Sequence, residues 1–190
     1  MSRFKVLSLR VIAALCMSFS CIALVGCSSD EDEEAAIEQA ISAEFDKLKN
    51  LDAATVDEIA QSVGNDELTK MGIDAKDFAK AYLDGFDYSV QKVEVDGDKA
   101  TATVTMTCKS LSEFQSPLTT LAAEYVGDSS NWEKSESQIY QELGTKIMDT
   151  LKSTPTATTQ PITLHFTESG GEWTADENED TQITNAMASL

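Results

Sequence analysis

Few side chains in this 190-residue chain have reactive or metal-binding chemistry: four cysteines (Cys16, Cys21, Cys27 and Cys108), a single histidine, His165, and an acidic run, Asp176 to Asp180. A serine or cysteine hydrolase needs an imidazole base beside its nucleophile, and a histidine metal site usually recruits a second His or Cys. His165 has neither partner near it in sequence. It alternates with Ile162, Leu164 and Phe166, which places it with Thr163 and Thr167 on the opposite strand face. There it is either solvent-exposed or, on the concave wall of a curved sheet, a residue lining a pocket. The run "DENED" spaces Asp176, Asn178 and Asp180 like a calcium loop. The sixth position, however, is Thr181 rather than glycine, and the twelfth is Met187 rather than glutamate. The sequence has no glycine-rich phosphate loop, nucleophile elbow or His-Glu-x-x-His motif. No catalytic residue, metal site or cofactor is therefore assigned.

The other chemistry lies near the N-terminus. Arg3, Lys5 and Arg10 precede a fifteen-residue apolar run, Val11 to Val25, and no acid occurs before Asp30. A cationic start, a short apolar segment and a small residue before a cut site describe a secretory leader. The run is shorter than the roughly 20 residues a membrane-spanning helix needs.

Leu24-Val25-Gly26-Cys27 resembles the lipobox of bacterial lipoproteins. The resemblance implies transfer of a diacylglycerol to the Cys27 sulfur and cleavage between Gly26 and Cys27. Cys16 and Cys21 leave with the leader, and Cys108 remains as a thiol without a disulfide partner. One acyl chain binds a bilayer marginally and two bind it stably. The expected organisation is a leader over 1–26, a lipidated acidic tether over 27–34 extended by self-repulsion, and one domain over 35–190. The expected location is the extracytoplasmic face of a bacterial cell membrane.

Loss of residues 1–26 removes three of the 14 basic residues and leaves 11 lysines, no arginine and 33 acids, a net charge of −22. Arginine forks dominate recognition of phosphate and carboxylate. A chain of this charge without them is a poor ligand for nucleic acid, anionic polymers or anionic lipid surfaces. Cations and cationic peptides remain compatible, as does a charge that serves solubility alone.

The remaining residues fall into two periods. Ile37, Ile41, Phe45 and Leu48 predict a helix over 35–52. A second helix follows over 55–63, and a third begins behind the N-cap Asp74 and ends near Gly85. "DYSVQKVEV" and "KATATVTMTC" flank Asp96-Gly97-Asp98 and predict a hairpin. Tyr88 and Val90 are out of phase with Val93 and Val95, which asks for a bulge near Gln91-Lys92. Cys108 shares a buried strand face with Ala100, Ala102, Val104 and Met106. Helical spacing returns over 111–152, with a kink at Ser116-Pro117, and "STPTATTQP" reads as a polar loop that starts no element. A second hairpin turns at Ser169-Gly170-Gly171, and Ile183, Met187 and Leu190 predict a closing helix.

This order of elements, with its "VDGDKATATV" and "GGEW" hairpins, resembles bacterial lipoproteins whose folded part is cystatin-like or nuclear transport factor 2-like. The resemblance implies an α+β domain in which a curved antiparallel sheet of about four strands packs against amphipathic helices. The first functional expectation is a non-catalytic domain that binds a protein, peptide or small molecule at the membrane. An enzyme with a cone-like pocket, using His165 or a buried carboxylate for dehydratase- or isomerase-type chemistry, is the second. A structural envelope-assembly subunit is the third.

Overall fold

The computed structural model describes residues 22–23, 29–63 and 65–190. Its elements are β1 (Ile22–Ala23), α1 (Asp30–Lys49), α2 (Ala53–Ser62), α3 (Asn65–Lys70), α4 (Ala75–Leu83), β2 (Asp87–Asp96), β3 (Lys99–Lys109), α5 (Leu111–Gly127), a short 3-10 turn (Ser129–Glu133), α6 (Glu136–Ser153), β4 (Thr156–Thr158), β5 (Ile162–Ser169), β6 (Glu172–Ala175) and α7 (Glu179–Ala188). This is the α+β class expected from the two periods in the sequence.

Helix α1 corrects the expected tether. Residues 30–34 are not extended; they form its first turns. Ser29 is the N-cap, and its hydroxyl and backbone N–H exchange hydrogen bonds with the Asp32 backbone and carboxylate in a capping box. Asp30, Glu31, Asp32 and Glu33 lie where the helix dipole is positive, so the carboxylates that repel one another also favour the helix end. The helix stops where Leu51 takes φ +54°. The Asp52 N–H then reaches the Lys47 carbonyl and the Leu51 N–H that of Leu48. This is a Schellman ending made without glycine.

The strands form one antiparallel sheet in the order β1-β6-β5-β3-β2. The long hairpin β2–β3 turns at Gly97, whose φ of +64° suits glycine, and the register slips between Val90 and Lys92. Gln91 is thus the extra residue that restores the phase of Val93 and Val95. Two strands exceed the expected four, and both are short. Strand β1 pairs with β6, and β4 lies in the segment expected to be loop. Strand β4 takes the part of β3 that β5 leaves open, since β5 covers Lys99–Val104 and β4 covers Thr107–Lys109. Thr159 fills the gap: its N–H donates to the Met106 carbonyl and its hydroxyl accepts from the Met106 N–H.

Ala100, Ala102, Val104, Met106 and Cys108 are buried along β3, while Thr101, Thr103, Thr105 and Thr107 are partly exposed. The same buried cluster contains Ile37, Ile41 and Phe45 of α1, Phe78 and Tyr82 of α4, Ile147 and Leu151 of α6, and Ile183 and Met187 of α7. Burying each large aliphatic side chain contributes about 1.5–3 kcal/mol. Helix α6 also abuts the α3–α4 connection at Gly144, where an added Cβ would lie 2.0 Å from the Met71 carbonyl oxygen. Lys109 fastens the C-terminal end of α6: its buried ammonium donates to the carbonyls of Lys152 and Thr154. Helix α5 contains Pro117 in its interior. Among the described residues, no helix is long and apolar enough to cross a membrane.

Candidate functional site

Cys27 and Gly26, the expected lipidation and cleavage residues, lie outside the described residues, as does Leu24-Val25. What the structure does place is the first helical residue after them. Asp30 follows Cys27 by three positions, which spans at most about 10 Å of extended chain.

The sheet register shows what surrounds that helix end. Helix α1 touches β1, and β1 pairs with the start of β6, Ala23 opposite Glu172. The β5–β6 turn in turn meets the β2–β3 turn, where the Glu168 N–H donates to the Asp98 carbonyl and Lys99 pairs with Thr167. The two hairpin turns therefore share one end of the sheet. The N-terminus of α1 points towards it, because the C-terminal end of α1 is fixed at the opposite end of β2, where Lys49 pairs with Asp87 and the Tyr88 hydroxyl donates to Asp46. Asp30 to Glu34, Asp96, Asp98, Glu168 and Glu172 make this end strongly acidic. Its nearby cation is Lys99, whose ammonium donates to the Thr167 hydroxyl at 2.7 Å.

His165 stands on β5 with its side chain 49% exposed, and its Nδ1 is 3.1 Å from Oε1 of Glu179, whose side chain is only 3% exposed. Gln182 Nε2 donates to both oxygens of the same carboxylate. Two residues along β5, on the same face, the Thr167 hydroxyl donates to Asp176 at 2.9 Å, and the Asp176 N–H donates to the His165 carbonyl. The acids of "DENED" are thus partly accounted for by β5, with Asp176 serving Thr167 and Glu179 serving His165. Partial burial pushes the neighbouring Asp180 carboxyl above its ordinary value. A buried carboxylate behind an imidazole fixes its orientation, the arrangement a general base uses. Here, though, the imidazole is on the outer surface, half in solvent.

An open groove of about 480 Å³ lies elsewhere, between α2 and the start of α4, and His165 is not part of it. Asp57, Gln61, Thr69, Ile73 and Lys76 line it. Lys76 crosses it to pair with Asp57 at 2.7 Å, and that hydrogen bond raises the lysine's affinity for its proton. Nothing in the sequence singles out this groove, because its walls come from three helices, α2, α3 and α4, and the turn at Gly72.

Cys108 is 1% exposed, and burial pushes its thiol up to about 12, which keeps it protonated and unreactive at neutral pH. Tyr82 is beside it, and burial raises its phenol too. The Tyr82 hydroxyl and the Trp173 indole N–H are buried with no hydrogen-bond partner among the described residues.

No family model and no curated protein matches this chain. Among solved structures it is similar to a candidate lipoprotein (YcdA) from Bacillus subtilis subsp. subtilis str. 168, at 11% sequence identity and a TM-score of 0.47. The alignment covers 94% of this chain and 56% of that one, so this chain spans little more than half of that protein's length.

Proposed function

We propose that this chain is a lipoprotein of the bacterial envelope, held at the extracytoplasmic face of the cell membrane through Cys27, and that its cystatin-like or nuclear transport factor 2-like α+β domain is a non-catalytic binding domain. The observation that carries the reading is the abrupt change at one thiol. An apolar leader with a cationic start ends at Gly26-Cys27, and a capped helix starts three residues later. Two acyl chains account for membrane attachment. The headgroups do not, because the end of the domain next to Cys27 is acidic and an anionic surface repels it. The binding role is supported by the position of His165 on an open surface and by the buried, protonated state of Cys108.

The test is intact-mass analysis of protein extracted from its own membranes. Wild type is expected to start at residue 27 with a diacylglyceryl group on the sulfur, and Cys27→Ser is expected to accumulate as the full-length, unlipidated precursor. Recovery of wild type from the cytosol with residues 1–26 still attached refutes the reading.

A further inference from the structure

Strand β1 is the outermost strand of the sheet, and it consists of two residues that precede the proposed cleavage point. Ile22 pairs with Trp173 and Ala23 with Glu172 in antiparallel register. Cleavage between Gly26 and Cys27 removes both. We propose that in the mature protein the outer edge of β6 (Glu172–Ala175) is a docking edge for an extended peptide, one that places an apolar side chain opposite Trp173 and carries lysine or arginine on either side of it. The inference rests on the processed, anchored reading given above.

Three observations support this occupant. The edge already accepts a strand of the chain's own leader, so its backbone groups face outward in a geometry that takes an antiparallel partner, with an isoleucine in the position opposite Trp173. The edge also lacks the usual protections against strand addition: Glu172-Trp173-Thr174-Ala175 contains no proline and no lysine, and its pairing with β5 runs without a bulge. Finally, its surroundings select for charge. Glu172 is on the edge, Glu168 is one residue before the β5–β6 turn, and the acidic first turn of α1 is at the same end. A second copy of this chain would bring two bodies of net charge −22 together at their acidic ends, whereas a cationic strand neutralises the rim. Asp30, at the same end, is at most about 10 Å of chain from the proposed anchor, so the site would be presented near the membrane.

The experiment uses lipidated protein extracted from its own membranes into non-ionic detergent, with its N-terminus first read by intact mass. The probe is the synthetic peptide Lys-Lys-Ile-Ala-Leu-Val-Lys-Lys, and the readout is amide hydrogen exchange. At a peptide concentration about ten times Kd, exchange over 172–175 is expected to slow about tenfold. The peptide N-methylated on alternate amides is expected to give no protection. Glu172→Lys, an exposed change, is expected to weaken binding about two- to fivefold without lowering the melting temperature. Unchanged exchange at 172–175 in a chain that starts at residue 27, or equal protection by the N-methylated peptide, overturns this inference alone. A mass that starts at Met1 overturns it together with the anchored reading.

Discussion

Replacing Gly144 by alanine pits helix propensity against packing, and the geometry decides which wins. In an exposed helix interior the change stabilises by about 1 kcal/mol. At this site the new Cβ would lie 2.0 Å from the Met71 carbonyl oxygen, 2.9 Å from its carbonyl carbon and 3.0 Å from its Cβ. That is about 1.4 Å short of the 3.4 Å at which ordinary contact begins. The obstacle is largely backbone, which cannot swing aside as a long side chain would. Either α6 moves outward or the α3–α4 connection opens, and forced shifts of this kind cost about 1–3 kcal/mol beyond the propensity gain. At about 2–4 °C per kcal/mol for a chain of this length, Gly144→Ala is expected to melt about 2–12 °C below wild type. Gly127→Ala is the control: no atom lies within 4 Å of its added Cβ, so it is expected to melt at or slightly above wild type. Thermal denaturation followed by circular dichroism measures both. A Gly144→Ala protein as stable as the Gly127→Ala protein would mean that α6 does not rest on Met71.

Three further outcomes follow from two buried groups, Lys109 and Cys108. Lys109→Met keeps the length of the side chain but removes the ammonium that holds the Lys152 and Thr154 carbonyls, and is expected to cost about 1–3 kcal/mol in urea denaturation; an unchanged midpoint refutes the role given to Lys109. The Cys108 thiol ionises near 9 when unfolded and is pushed up to about 12 in the fold, so its contribution is complete below pH 9 and is lost progressively from pH 9 towards 12. Cys108→Ala is expected to flatten that alkaline loss without abolishing it, because Tyr82 shifts in the same direction. Native protein at pH 8 is expected to resist alkylation at Cys108, and rapid labelling would refute its burial.

The elements legible in the sequence are those whose signal is local. Asp-Gly between alternating runs specifies the β2–β3 hairpin, and the phase break at Gln91 announces its bulge. Asp74 caps α4 as its position suggests, accepting from the Lys76 and Asp77 N–H groups. The acidic run after Cys27 carries two opposed signals, because the same carboxylates favour an extended chain by repulsion and a helix end by the dipole; the capping box at Ser29 decides between them. Strand β4 has three residues and no apolar alternation, so only the vacant edge of β3 and the bonds from Thr159 make it a strand. The six-residue helix α3 and the close approach at Gly144 likewise depend on neighbours distant in sequence. Alternation puts His165 on the Thr163/Thr167 face of β5, and the structure shows that face half open to solvent at His165. Its partner Glu179 lies fourteen residues on, beyond a hairpin turn, and no spacing rule connects the two.

The brevity of the link between Cys27 and α1 bears on where this protein can work. A domain of about 164 residues is roughly 40 Å across. Under the acylation proposed for Cys27, about 10 Å of slack would let it tilt and spin but not roam. So anchored, its whole volume would stay within a layer about 50 Å high, and its search for partners would be confined to two dimensions. Molecules or strands that project into that layer would meet it at high local concentration, while those farther out would lie beyond its reach.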